Sequence, residues 1–90
     1  MNVKQSAIKI FHHFGSDNQK RKLVEEVYEF LEALILYENG IGDIKHVVEE
    51  FADMKFILLQ FKEDLEITEQ EEFDHILFKA DRTLKRYDIK

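Results

Sequence analysis

Lys22 to Phe30 reads KLVEEVYEF, and His46 to Met54 reads HVVEEFADM. At an offset of 24 residues the two stretches share two apolar residues, two glutamates, two spacers and one further acid. Apolar residues recurring at steps of three and four mark both as helical. Their acids, Glu25, Glu26 and Glu29 in one and Glu49, Glu50 and Asp53 in the other, each fall within about 100° of a helix circumference. Like charges so spaced repel by roughly 0.2–0.5 kcal/mol per pair. Either these carboxylates face water or something positive sits among them.

The punctuation around the two stretches predicts an all-α chain of four helices. The first runs from about Val3 to Phe14 and stops at Gly15, a C-terminal glycine. Ser16-Asp17-Asn18-Gln19 has the form of a capping box and opens a second helix to about Glu38. Asn39-Gly40-Ile41-Gly42 is the second break, after which Asp43 caps a third helix to about Asp64. Thr68-Glu69-Gln70-Glu71 is another capping box, opening a fourth helix to about Tyr87. With 90 residues, no proline and only three glycines, a single helical domain over residues 1–90 is expected.

Apolar stripes supply the expected core. They comprise Ile44, Val47, Val48, Phe51, Met54, Leu58, Phe61 and Leu65 in the third helix, and Phe73, Ile76, Leu77, Ala80, Leu84 and Tyr87 in the fourth. The second helix is apolar on more than one side, through Leu23, Val24, Val27, Phe30, Leu31, Leu34, Ile35 and Leu36. That surplus predicts oligomerisation through helices.

Composition excludes several functions. The chain has no cysteine, which removes disulfides, thiolate zinc sites and thiol nucleophiles. A net charge of −6 argues against a nucleic-acid polymer as partner, since phosphate-backbone affinity comes from clustered Lys and Arg. The longest apolar run, Ala33 to Tyr37, is far too short to span a bilayer, and the N-terminal stretch lacks a signal peptide's apolar core. A cytoplasmic protein without a membrane partner is the expectation.

Acid spacing alone does not define a site. With 19 acids in the chain, the i,i+3 pattern recurs at Glu63/Glu66, Glu66/Glu69, Glu69/Glu72 and Glu71/Asp74, around a helix break and a helix N-terminus where a solvated face and the helix dipole explain it. Glu26, Glu29, Glu50 and Asp53 differ because Val27, Phe30, Phe51 and Met54 flank them in mid-helix. Antiparallel packing across the short 39–42 turn would bring these four carboxylates face to face. A partly buried group of that charge calls for a hard cation, Mg²⁺ or alternatively Mn²⁺. A solvated acidic face, or pairs bridged by Lys22 and Lys55, remain open at this point.

Other features are weaker. Lys79, Arg82 and Arg86 share one stripe of the fourth helix and fit either phosphate binding or the cation preference of a helix C-terminus. Lys22 can reach a phosphate or pair with Glu26. His12 and His13 beside Phe11 and Phe14 fit an ordinary helix end better than a stacking platform, and His46 lies one turn before Glu50. Glu72-x-x-His75 has di-iron spacing but occurs once where the site needs it twice. Gly40-Ile41-Gly42 lacks the remaining parts of a phosphate-binding loop and reads as a turn.

Glu-Glu-x-x-Glu at 25–29, followed after 20 intervening residues by Glu-x-x-Asp at 50–53, resembles the signature of the MazG-like all-α nucleoside triphosphate pyrophosphohydrolases. That superfamily includes the all-α dUTPases and phosphoribosyl-ATP pyrophosphatase. Phe14-Gly15 and Gln19 leading into LVEEVYEFLEAL resemble the entry to its first metal-binding helix, VVEEFADMKFILLQF resembles its second, and the helix bearing Lys79, Arg82 and Arg86 is similar to the basic terminal helix of small members. The resemblance spans roughly residues 10–87. It implies a four-helix MazG-like bundle, homodimeric or homotetrameric, that hydrolyses a nucleotide to the monophosphate and pyrophosphate with Mg²⁺. By motif position Glu26, Glu29, Glu50 and Asp53 would be metal ligands, and Glu25 would order or deprotonate the attacking water. Lys79, Arg82 and Lys22 would be phosphate-binding. The motif residues of uridine-specific members are not matched. The alternative is a catalytically inactive helical module of the same fold that binds a partner or nucleotide.

Overall fold

The computed structural model describes residues 2–90; Met1, part of the expected 1–90 domain, lies outside them. Four helices follow in order: α1 (Val3–Phe14), α2 (Ser16–Glu38), α3 (Ile44–Asp64) and α4 (Glu69–Arg86), with no strand among the described residues. Their ends are where the chain's polar punctuation puts them. Asp43 accepts from the His46 backbone N–H, and Thr68 and Glu71 form the reciprocal capping box that starts α4. Asn2 and Gln5 form another at the start of α1, which the sequence reading did not identify.

One cap is corrected. Ser16-Asp17-Asn18-Gln19 forms no capping box: the N-cap of α2 is Gly15, without a side-chain bond. Gly15 (φ 85°, ψ 158°) lets α1 end and α2 begin one residue apart, its N–H closing α1 on the Phe11 carbonyl. Gln19 instead turns inward and donates from Nε2 to Gln60 Oε1 at 2.8 Å.

Helices α2 and α3 are antiparallel. Gln19 lies opposite Gln60, Glu29 near Glu50, and the rings of Phe30 and Phe51 are 5.7 Å apart, so numbering rises along one helix as it falls along the other. α1 packs on the C-terminal half of α3, where Phe11 meets Phe61 edge-on at 5.1 Å and Lys4 reaches Glu63 at 3.8 Å. The buried apolar core is small: Ala7, Phe11, Ala33, Val47 and Ile57.

The expected core stripes are therefore largely corrected. In α3 only Val47 of the expected stripe is buried, while Ile44, Val48, Phe51, Leu58 and Leu65 stay exposed. The inward line of α3 is instead Val47, Ile57 and Gln60. No residue of α4 is buried, and Phe73, Ile76, Leu77, Leu84 and Tyr87 all face outward. The cause is that α4 does not pack along α1–α3. Lys62 Nζ, 2.6 Å from both Glu69 and Glu72, holds its first turns to α3.

The described chain accordingly has a radius of gyration of 16.0 Å, against about 12 Å for a compact domain of this length. Its accessible surface of 7343 Å² is about a third larger than the ~5,500 Å² expected for a compact monomer of its mass. Val24, Tyr28, Leu31 and Ile35 on the far side of α2 contribute to that excess.

Candidate metal centre

Three carboxylates from two helices meet beside the core. Glu26 and Glu29 on α2 and Glu50 on α3 each offer an oxygen, and these oxygens lie within 4.8 Å of one another. Their convergence follows from the antiparallel register, which sets the middle of α2 against the first half of α3. Glu26 is 5% exposed, Glu50 is half-buried and Glu29 is exposed.

The pairing within this group is incomplete. Lys22 Nζ sits 3.1 Å from Glu26 Oε1 and 3.7 Å from Glu25, and the Glu26 bond raises the lysine's pKa. The second oxygen of Glu26 and one oxygen of Glu50, both Oε2, are enclosed with no hydrogen-bond partner. Enclosed carboxylate oxygens without partners are costly, and a bound cation is one way to satisfy them. Burial, then repulsion from Glu29 and Asp53, push the Glu50 carboxyl above its ordinary pKa, with His46 opposing the rise. His46 Nδ1 stands 3.9 Å from Glu50 Oε1. The donor set is all carboxylate oxygen, which suits a hard divalent cation.

Asp53 stands apart from the three converging ligands, although it is close enough to raise the Glu50 pKa. It lines, with Glu25, Glu26 and Lys22, a cavity of about 730 Å³ that also takes in Gln19 and Gln60 from the interior and Ile10 and Phe14 from α1. Lys79 and Arg82 are elsewhere: no α4 residue borders this cavity, and Arg82 lines a separate groove formed by α4 residues alone. The downstream acids have ordinary roles, Glu69 and Glu72 on Lys62, Glu71 in its cap and Asp74 accepting from Gln70.

Gln60 was not singled out by sequence, although a signal for it exists. It continues the line Glu50, Asp53, Ile57 at helical spacing, a polar residue on a stripe directed at α2.

No protein-family model, curated protein or solved structure matches this chain. The described helices include none long and apolar enough to cross a membrane.

Proposed function

We propose that the chain is a MazG-like nucleoside triphosphate pyrophosphohydrolase, cleaving a nucleotide to its monophosphate and pyrophosphate. The observation that carries this reading is the buried Glu26, with an unpartnered oxygen, meeting Glu29 and Glu50 at the edge of a cavity large enough for a nucleotide. Glu26, Glu29 and Glu50 would hold Mg²⁺, or Mn²⁺ in its place, with Asp53 adjoining. When bound, such a cation neutralises phosphate charge and lowers the pKa of a coordinated water.

The remaining chemistry belongs to side chains. Glu25, exposed on the same wall, orders the attacking water and takes its proton as the water oxygen bonds to the α-phosphorus and pyrophosphate departs. Lys22 reaches a phosphate oxygen by exchanging one of its glutamate partners for it. Lys79 and Arg82 would meet the substrate only from a second copy, because α4 carries them away from their own chain's cavity.

A homodimer or homotetramer accords with that geometry. The roughly 1,800 Å² of surface beyond a compact monomer's is within the range that each chain of an obligate homodimer buries. The exposed apolar faces of α2 and α4 would supply it.

The test is product analysis after incubating the protein with ribo- and deoxyribonucleoside triphosphates and Mg²⁺. Monophosphate and pyrophosphate in equal amounts support the reading. Diphosphate and orthophosphate, or no turnover above a protein-free control, overturn it.

A further inference from the structure

We propose that the Gln19–Gln60 pair is a nucleobase-recognition element at the interior end of the same cavity. The idea rests on the nucleotide reading for the phosphate end, while the binding of a base can be measured apart from any hydrolysis.

Gln60 is 1% exposed and Gln19 5%, so they are, with Glu26, the buried polar residues among those described. Their one mutual bond uses a donor of Gln19 and the acceptor of Gln60. The Gln19 carbonyl and the Gln60 amino group take no part in that bond and have no other hydrogen-bond partner among the described residues. Both residues line the cavity that also holds Glu26 and Asp53, which puts these free groups within reach of a ligand seated there. Exchanging oxygen and nitrogen in both amides leaves the same outward pattern, one donor beside one acceptor.

A pair serving only to tie α2 to α3 would be better satisfied, because a half-paired buried amide costs stability. A ligand edge carrying an acceptor next to a donor completes it. Every nucleobase has such an edge on a flat ring, and the walls here include the rings of Phe14 and Phe56 and the aliphatic Ile10 and Ile57. Aromatic side chains are the usual stacking partners of bases. The carboxylates Glu26 and Asp53 lie on the same cavity, so a base on the amides leaves the sugar and phosphates to run toward them. A volume of about 730 Å³ is in the ordinary range for small-ligand sites, roughly 300–1,000 Å³.

The experiment follows the side-chain amide resonances of Gln19 and Gln60 in the ¹⁵N-labelled full chain, with chelator and no metal. Uridine, cytidine, adenosine and inosine are titrated in turn, with ribose 5-phosphate as the base-free control. The expected result is saturable movement of both amide signals with at least one nucleoside and none with the control. In a Gln19→Met/Gln60→Met variant that keeps its helical circular dichroism, affinity for that nucleoside should fall about tenfold, the worth of one or two hydrogen bonds, with Mn²⁺ binding unchanged. Amide signals that no nucleoside moves, or a variant that binds nucleosides as well as the parent, would overturn the proposal. Triphosphate cleavage with no base binding removes this inference alone, whereas base binding without cleavage removes the hydrolase reading alone.

Discussion

Lys22 neutralises only one side of Glu26: its Nζ is 3.1 Å from Oε1, while Oε2 is enclosed without a partner, on a residue whose carboxylate converges with those of Glu29 and Glu50.

A divalent cation should stabilise the fold. Ligand binding to the folded state alone adds about 2.7 kcal/mol at a hundred times the dissociation constant, so Mg²⁺ should raise the melting temperature of chelator-treated protein. Glu50→Gln or Asp53→Asn should abolish turnover and leave the metal-free fold as stable as the parent or more so. Differential scanning calorimetry checks this. Marked loss of metal-free stability would mean that these acids make structural ion pairs.

The pH dependence has a defined sign. Glu50 has a raised pKa in the fold, so its contribution to stability is fully present below the ordinary value of 4.5 and is lost as pH climbs through the raised one. Glu69, held down by Lys62, and Glu71, held down by the Thr68 cap, contribute stability above the ordinary value and lose it as pH falls through their lowered ones. The two windows therefore lie on opposite sides of 4.5. In chelator, Glu50→Gln should match the parent at low pH and become progressively more stable than it as pH rises, then level off. A variant that grows less stable than the parent over that range would contradict the assignment.

The amide pair predicts a non-additive cycle. Gln60→Met alone leaves the buried Gln19 amide unpaired and should cost about 1–3 kcal/mol. The double Gln19→Met/Gln60→Met change should cost less than the two single changes added, because neither amide is then left alone. Urea unfolding of the four proteins measures the coupling, and strict additivity would show that the bond contributes nothing.

Gly15→Ala should destabilise the chain by about 1–3 kcal/mol, because φ 85° and ψ 158° are essentially closed to other residues. Nothing within 4 Å would obstruct the added methyl group, so the loss measures backbone strain. Unchanged thermal stability would mean that the α1–α2 junction relaxes freely.

Leu77→Glu should shift the assembly toward monomer in light scattering after size exclusion while preserving helical circular dichroism, because Leu77 is exposed on a helix that does not pack along α1–α3. A parent protein that is already monomeric at high micromolar concentration would contradict the expectation of self-association.

The sequence made some parts of this molecule readable and hid others. Helix ends were legible where a local polar residue fixes them, as at Asp43 and Thr68, because capping is decided within four residues. Ser16 to Gln19 misled for the opposite reason: the tertiary partner Gln60 outcompeted a local cap for Gln19. The acid triplets were legible as clusters, since their spacing alone puts them on one helix face, and the antiparallel register then selected Glu26, Glu29 and Glu50 and left Asp53 on the adjoining wall. The α4 stripe was correctly amphipathic but could not declare what covers it. Periodicity reports that a face is apolar, and gives no account of which surface it meets.

The most direct test of the carboxylate centre is Mn²⁺ binding followed by electron paramagnetic resonance, in the parent and in Glu26→Gln. Saturable binding by the parent that is weakened at least tenfold in Glu26→Gln is the predicted result, tenfold corresponding to about 1.4 kcal/mol. Absence of saturable binding, or equal affinity in the two proteins, would contradict a cation site built on Glu26, Glu29 and Glu50.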